Sequence, residues 1–305
     1  MMSNAMPSVE IRVPATTANL GAGFDCLAVA LNLWNQAGVE FGGKGYRVRV
    51  KGEGEDCLPE NDDNLIVRSF LQAARKLGIK TPSGAVFHCE NNIPLGSGLG
   101  SSAAAGLIGI IAATTLSPEH ENKDTWLQLS AELEGHADNV AAALFGGLVA
   151  VRKTDGIWRT ILYDVEPEEV IVVLPDIKKT THDMRATLPE TIPMADAVFN
   201  LSRIPAILDG LQSGDVDVLR EGLEDRIHQP YRLPLIPGAS EAIEAANKAG
   251  AAAALSGAGP SVVAFMPANI ESVEDAMIDC FKAKDVGNRV FHLEMINRGA
   301  QVTRL

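Results

Sequence analysis

PLGSGLGSSAAA, residues Pro94 to Ala105, is the stretch on which the reading of this chain turns. Three glycines in five residues, Gly96, Gly98 and Gly100, let the backbone turn its amides inward with no Cβ to clash. Ser101 and Ser102 then open an Ala-, Leu- and Ile-rich run that predicts a buried helix. Glycine turn and helix start together make an anion cradle. A Walker A loop would need Gly-Lys-Ser/Thr, yet no Lys or Arg stands between Lys80 and Lys123. A dinucleotide fingerprint would need a third glycine where Ser101 stands, in a turn leaving a buried strand, whereas Asn91, Asn92 and Pro94 precede the loop. Phosphate is therefore expected to be held by backbone amides, hydroxyls and a metal ion, because no ammonium is supplied locally.

Upstream, a strand from Ala85 to Cys89 delivers the chain to this loop. Before it, Asp63 or Asn64 caps an amphipathic helix that ends at Gly78, with Leu65, Ile66, Phe70, Leu71, Ala74 and Leu77 at helical spacing. Nearer the start, Val9 to Pro14 alternates as a strand and enters PATTANLGAGFD, Pro14 to Asp25. Thr16, Thr17, Asn19, Gly21, Gly23 and Asp25 crowd this loop, which taken alone reads equally well as a hairpin connection held by local side-chain bonds. Extended segments follow at Leu27–Phe41 and Tyr46–Lys51 with Gly42 and Gly43 between them, which predicts an antiparallel unit.

Downstream, Ser117-Pro118-Glu119 starts a polar helical region whose buried stripe is Trp126, Leu129 and Leu133, up to Gly135. EGHADNVAAALFGG, Glu134 to Gly147, then packs Glu134, His136, Asp138 and Asn139 into six residues where an apolar helix, Val140 to Phe145, begins. Reading Asp138 or Asn139 as an N-cap and His136 as a surface residue explains one of the four. Strands at Leu148–Val151 and Trp158–Leu162 close a first domain, expected over residues 6–163.

Asp155-Gly156 and the acidic Asp164–Glu169 stretch mark the boundary to a second domain, 164–305, opened by the continuous strand signal Val170–Leu174. A polar segment, Lys178 to Pro189, and helices at Pro193–Leu211 and Val216–Leu223 follow. DRIHQPYR, Asp225 to Arg232, reads as an irregular connection that could aim Arg232 into a cleft, although for Arg185 or Arg232 taken alone a solvated surface charge is the favoured reading. A helix from Ser240 to Ala249 ends at Gly250, and SGAGPS, Ser256 to Ser261, is a second glycine loop between the strands Ala251–Leu255 and Val262–Phe265. A tight turn explains Gly257 and Gly259; a turn tucked against the first loop explains the small residues beside them as well. Helix Ile270–Lys282 and strand Arg289–Met295 complete a pattern close to a split βαβ sandwich.

At 305 residues and 46% hydrophobic content the chain can bury a real core, and its length suits two domains. Residues 1–5 read as a leftover cloning tag ahead of a start at Met6, and no charged-then-apolar leader follows, so a cytoplasmic protein is expected. The longest apolar run, Leu107 to Ala113, is far too short to span a bilayer. Cys26, Cys57, Cys89 and Cys280 are scattered and are expected to be buried free thiols. The net charge of −13 argues against nucleic-acid or anionic-membrane partners. It also means that a polyphosphate site here must be made locally positive by helix ends, Arg side chains and a divalent cation.

PATTANLGAGFD, PLGSGLGSSAA and LSGAGPS, in this order and spacing, resemble the GHMP kinase superfamily over nearly the whole chain. With EGHADNV and the Arg185 and Arg232 segments, the chain looks most like the homoserine kinases, although Ala137 and Ala142 stand where those commonly carry Pro. The resemblance implies an α+β, two-domain fold: an N-terminal domain like the second domain of ribosomal protein S5 and a ferredoxin-like C-terminal domain, with ATP and acceptor between them. It implies γ-phosphoryl transfer to the hydroxyl of L-homoserine, on the route to threonine. Pro94, Leu95, Gly96, Ser97, Gly98, Leu99, Gly100, Ser101, Ser102, Ala103 and Ala104 would bind ATP. Ser101 or Ser102 and Glu134 would hold Mg²⁺, with Glu132 competing for that role. Arg185 and Arg232 would take the acceptor carboxylate, Asn19 and Asp25 its ammonium, and His136 and Asn139 would line its pocket. Asp138, with Asn139, occupies the catalytic position, but a loose transition state needs little base assistance, so Asp138→Asn is expected to keep appreciable activity. Many relatives are dimers, so the resemblance extends to a homodimer.

Two rivals stand beside this reading. A mevalonate-type kinase would need neither two Arg residues nor an ammonium site. A non-enzymatic sensor could keep the glycine loops, though Glu134, His136, Asp138 and Asn139 together argue against it.

Overall fold

A computed structural model describes residues 8–305; the readings of residues 1–5 as a tag and of Met6 as the start lie outside the described residues. The first part of the chain runs β1 (Ser8–Ala18), β2 (Leu27–Phe41), β3 (Gly45–Gly52), α1 (Leu65–Leu77), β4 (Gly84–Asn91), α2 (Ser101–Thr114), α3 (Lys123–Glu134), α4 (Asp138–Phe145), β5 (Leu148–Thr154) and β6 (Ile157–Tyr163). The second runs β7 (Glu169–Pro175), α5 (Thr181–Ala186), α6 (Met194–Ser213), α7 (Val216–Gly222), α8 (Gln229–Arg232), α9 (Ala239–Lys248), β8 (Ala252–Leu255), β9 (Val262–Phe265), α10 (Ile270–Lys282), β10 (Asn288–Glu294) and β11 (Gln301–Arg304).

The first sheet is ordered β11-β1-β2-β4-β3, and β5 joins it on β2 with β6 beyond. β1 and β2 are antiparallel, and their register shifts at Pro14/Ala15, where proline has no N–H to give the ladder. β2 changes partner along its length: Leu27–Val29 pair with β5 and Gln36–Phe41 with β4. The antiparallel unit expected of β2 and β3 does not form, because β4 enters between them, parallel to β3 and antiparallel to β2. α1 has the predicted caps, the Asn64 side chain accepting from the Ile66 N–H and Gly78 in the left-handed region. α2 is buried almost all round, as an evenly apolar helix must be, and α1, α3 and α4 pack around it. The helix expected to start at Val140 starts at Asp138, and Ala137 precedes it without a side-chain cap, so neither Asp138 nor Asn139 is the N-cap.

The second sheet is ordered β10-β7-β9-β8, antiparallel throughout, as in a ferredoxin-like sheet. Ile171, Val262, Ala264, Ala253 and Leu255 of this sheet pack with α9 and α10, while Val170, Val172, Val263, Phe265, Ala252 and Ala254 on the other face join, with Ile207, Leu211 and Leu219 of α6 and α7, the core that runs into the first domain. With both faces buried, these strands read as unbroken apolar runs. β11, in the stretch expected to belong to the second domain, crosses back and pairs with β1. The Asp225–Arg232 connection is not irregular to its end: Gln229–Arg232 form one helical turn, and Arg232 is 1% exposed, not a surface charge. All four cysteines are free, but only Cys89 is buried: Cys280 is half-buried, and Cys26 and Cys57, in loops, are exposed. Among the described residues no helix is long and apolar enough to cross a membrane.

Candidate active site

The three glycine-containing motifs meet at the first loop. Gly96, Gly98 and Gly100 all have positive φ, which brings successive amides to one side of the turn ahead of α2. Gly98 is pressed against the second loop: a Cβ there would lie 2.2 Å from the Ser256 carbonyl oxygen. One on Gly100 would lie 2.2 Å from Thr16 Oγ1. Ser256 Oγ is 2.9 Å from both Thr17 Oγ1 and the Gly98 carbonyl oxygen, and the Ser261 N–H donates to the Ser97 carbonyl at 3.3 Å. The second loop is therefore tucked against the first, and the end of β1 is bound to both. Thr16 extends the frame to α4, its hydroxyl donating to Asn139 Oδ1 at 2.8 Å.

A cleft of about 100 Å³, open to solvent, lies over this junction. It brings together Asn19, Asp25, Glu134, His136, Asp138, Asn139, Arg185 and Arg232 with Gly96–Gly98 and Gly100–Ala103. Pro94, Leu99 and Ala104 of the expected ATP-binding stretch do not line it, and Leu99 and Ala104 are fully buried. On the second-domain side, Arg185 at the end of α5 makes two 2.8 Å bonds to Asp25, which hold its guanidinium even more firmly protonated than usual. Arg232 forms no ion pair among the described residues. Its bonds run to the Met184 carbonyl at 3.3 Å, His228 Nδ1 at 3.2 Å and the Gly257 carbonyl at 3.4 Å. Burial first and Arg185 second pull its pKa down to about 10 against the pull of Asp25, Asp225 and Asp138, so a buried cation stands at the cleft with no carboxylate in direct contact. Asn19 is buried and braces its own loop, Oδ1 accepting from the Asp25 N–H at 3.0 Å and Nδ2 donating to the Gly257 carbonyl at 2.6 Å.

On the opposite wall, Asp138 Oδ1 accepts from the Asn139 N–H at 2.8 Å and lies 2.7 Å from His136 Nδ1. Burial pulls the His136 pKa down, but the Asp138 hydrogen bond and the Asp138, Glu134 and Asp25 charges outweigh it and leave it raised. Ser102 Oγ donates to Glu134 Oε1 at 2.7 Å at the start of α2. Glu132 points away and pairs with Lys76 on α1, so of the two glutamates Glu134 alone faces the cleft. Ser101 Oγ is turned to the Ile93 carbonyl at 3.3 Å.

Beyond Gly96 and the two serines, the cleft adjoins an apolar pocket walled by Val50, Leu58, Leu65, Ile66, Leu95 and Ile108, with Asn35, Asn64 and Asn91 at its edges. A polar cradle thus adjoins an apolar pocket, the combination of few placed polar groups and hydrophobic lining that small-molecule sites use.

The profile for the GHMP kinases N terminal domain matches residues 64–147, and that for the GHMP kinases C terminal matches residues 207–283. The chain belongs to the GHMP kinase family. A homoserine kinase of Moorella thermoacetica is 40% identical over 297 residues, covering 96% of this chain and 99% of the relative. One of Caldanaerobacter subterraneus is 38% identical over 306 residues, covering 99% and 97%. The crystal structure of homoserine kinase from Cytophaga hutchinsonii superposes with a TM-score of 0.84 at 31% identity, covering 97% of each chain. The L. major mevalonate kinase, at 16% identity and TM-score 0.70 over 93% of this chain and 94% of its own, shares the fold.

As a GHMP kinase, the chain carries groups that reading the sequence missed. Thr181, at the start of α5, lines the cleft. Phe24 lies under both guanidiniums, 5.6 Å from Arg185 Cζ and 5.2 Å from Arg232 Cζ. His228 and Asp225 are buried behind Arg232. Thr181 and Phe24 stood inside segments already singled out. The apolar pocket had no local signal, because its walls come from β3, α1, α2 and the loops between them.

Proposed function

We propose that this GHMP kinase transfers the γ-phosphoryl group of ATP to the side-chain hydroxyl of L-homoserine, in the cytoplasm. The observation that carries the acceptor half is Arg232, a cation 1% exposed, at the cleft and without a carboxylate partner. An acceptor carboxylate would supply the missing anion, and Asp25 beside it is the matching acceptor for an ammonium. The names of the full-length relatives point to the same substrate. In the free protein Asp25 is paired with Arg185, and a bound zwitterion offers both ends a partner in exchange.

ATP would place its base in the apolar pocket and its phosphates over the Gly96–Gly100 amides and the start of α2, with Ala103 below. Ser102 and Glu134, one hydroxyl and one carboxylate, fit Mg²⁺ as it is commonly held together with substrate phosphates. Bound there, the ion would neutralise phosphate charge against the net −13 of the chain. Asn139 and His136 would orient the acceptor hydroxyl, and positioning together with charge stabilisation would supply most of the rate. A homodimer, as in many relatives, is part of the proposal and is read by sedimentation.

An ADP-release assay with ATP, Mg²⁺ and L-homoserine, L-serine, mevalonate or galactose tests this reading. Turnover with L-homoserine alone is expected. Turnover with mevalonate or galactose would keep the nucleotide half and discard the acceptor half, and silence with all four would favour a sensor. Arg232→Met should raise the acceptor KM at least tenfold and leave the ATP KM unmoved.

A further inference from the structure

The acceptor reading depends on Arg232, and a buried side chain outside the cleft holds that guanidinium in place. His228 is fully buried, with Nδ1 3.2 Å from Arg232 Nη1 and Nε2 2.9 Å from the Gly21 carbonyl oxygen. A guanidinium can only donate and a carbonyl can only accept. The two partners therefore impose one tautomer: Nε2 carries the proton and donates to Gly21, and Nδ1 is bare and accepts from Arg232. The ring stacks on Phe24 at 5.1 Å and 24°, and the backbone that carries it is held by the His228 main-chain N–H, which donates to Asp225 Oδ2 at 2.9 Å. Of the Arg232 hydrogen bonds this is the shortest, and the others go to backbone carbonyls at 3.3 and 3.4 Å.

Gly21 belongs to the loop that also carries Asn19 and Asp25, so the imidazole bridges that loop to the cation. We propose that His228 is a positioning residue that fixes the Arg232 guanidinium through Nδ1 and, through the Gly21 carbonyl, ties it to the loop bearing Asp25. The cation for a carboxylate and the anion for an ammonium are then set at one separation. That selects an acceptor carrying both groups on one carbon, an amino acid, over an alcohol with only one of them. The inference rests on the acceptor reading above.

Two amide substitutions separate the two ring nitrogens. His228→Asn keeps an oxygen near the Nδ1 position, able to accept from Arg232. His228→Gln keeps an N–H near the Nε2 position for Gly21 and loses the Arg232 acceptor. With steady-state kinetics on L-homoserine and ATP, H228Q is expected to raise the acceptor KM about tenfold, as for the loss of a hydrogen bond to a charged group. H228N should raise it by a smaller factor, and kcat and the ATP KM should stay within about threefold of wild type in both. Adding H228Q to Arg232→Met should cause no further rise in acceptor KM, because nothing is left to position. Wild type should also prefer L-homoserine to 3-aminopropan-1-ol, which lacks the carboxylate, and H228Q should lose most of that preference.

An acceptor KM unchanged in H228Q but raised in Arg232→Met overturns the positioning role and leaves the acceptor reading intact. An acceptor KM unchanged in Arg232→Met overturns both. Equal rises in the ATP and acceptor KM values would assign His228 to general packing and overturn the proposal. If H228Q does not fold, His228→Ser, which removes both ring nitrogens without adding bulk, carries the same discrimination test.

Discussion

Asp138 is the residue whose role the geometry constrains most usefully. Its Oδ1 is engaged by the Asn139 N–H and faces His136 Nδ1, an arrangement that fixes the start of α4 and the imidazole together. An amide can keep the bond to the Asn139 N–H, so Asp138→Asn should lower kcat by no more than about tenfold if the reaction relies on positioning; general-base catalysis typically contributes about 10²–10⁴-fold. A thousandfold fall in kcat with an unchanged acceptor KM would make Asp138 the base. His228 gives a pH signature of a different kind. Burial above all, with Arg232 beside it, pushes its pKa down to about 4 against the pull of Asp225 and Asp25. In the unfolded chain the group titrates near about 6.5, so as pH falls the unfolded state takes up this proton first. The stability it contributes is complete above about pH 6.5 and drains away between about 6.5 and 4. Thermal melts across that window should show a steeper fall for wild type than for His228→Asn, and parallel curves would exclude the histidine as the group responsible.

At the scale of elements, the site exists because two glycine loops from different domains touch. Gly98 combines a φ of +82° with a Cβ position 2.2 Å from the Ser256 carbonyl. Gly214, at the end of α6, has a φ of +74° and nothing within 4 Å of its Cβ position. Gly98→Ala and Gly214→Ala therefore share a backbone cost of about 1–2 kcal/mol, and only the first also pushes the loops apart. Gly98→Ala is expected to show the lower Tm and a raised ATP KM, and Gly214→Ala an ATP KM equal to wild type. Equal melting losses with normal ATP affinity in both would mean that the loop contact does not shape the phosphate cradle. The same scale accounts for the β2–β3 pairing that sequence reading expected and the structure lacks. Gly42 and Gly43 do reverse the chain between β2 and β3, but the strand that fills the space between them arrives after α1.

Across the whole molecule, one hydrophobic core runs from the first sheet through α2 and α4 to the inner face of the second sheet, and β11 returns from the second domain to the edge of β1. Two layers that share a core and exchange a strand should unfold together. Calorimetry should give a single transition, and removing residues 301–305 should lower its Tm and promote association through the bared edge of β1. Two separate transitions, or a truncated chain that melts like the full one, would show the halves to be independent. The same architecture answers the charge problem set by a net −13. Arg185 and Arg232 reach the cleft from the second domain, while the amide-rich start of α2 reaches it from the first.

The sequence by itself determined what local chemistry can encode. Positive-φ glycines, a cap at Asp63 or Asn64, the apolar run of α2 and the doubly buried strands each leave a mark within a few residues, because backbone sterics and periodic burial act at that range. It also grouped Glu134, His136, Asp138 and Asn139, which share one helix junction. Only the tertiary structure decided that Glu134 rather than Glu132 faces the cleft, that Arg232 is buried without a counter-ion, and that β4 separates β2 from β3. Those outcomes depend on which distant surfaces exclude water together. The guanidinium at position 232 is held at the cleft because Met184, His228 and Gly257, from three places in the chain, close around it, with Gly21 bonded to His228 behind them.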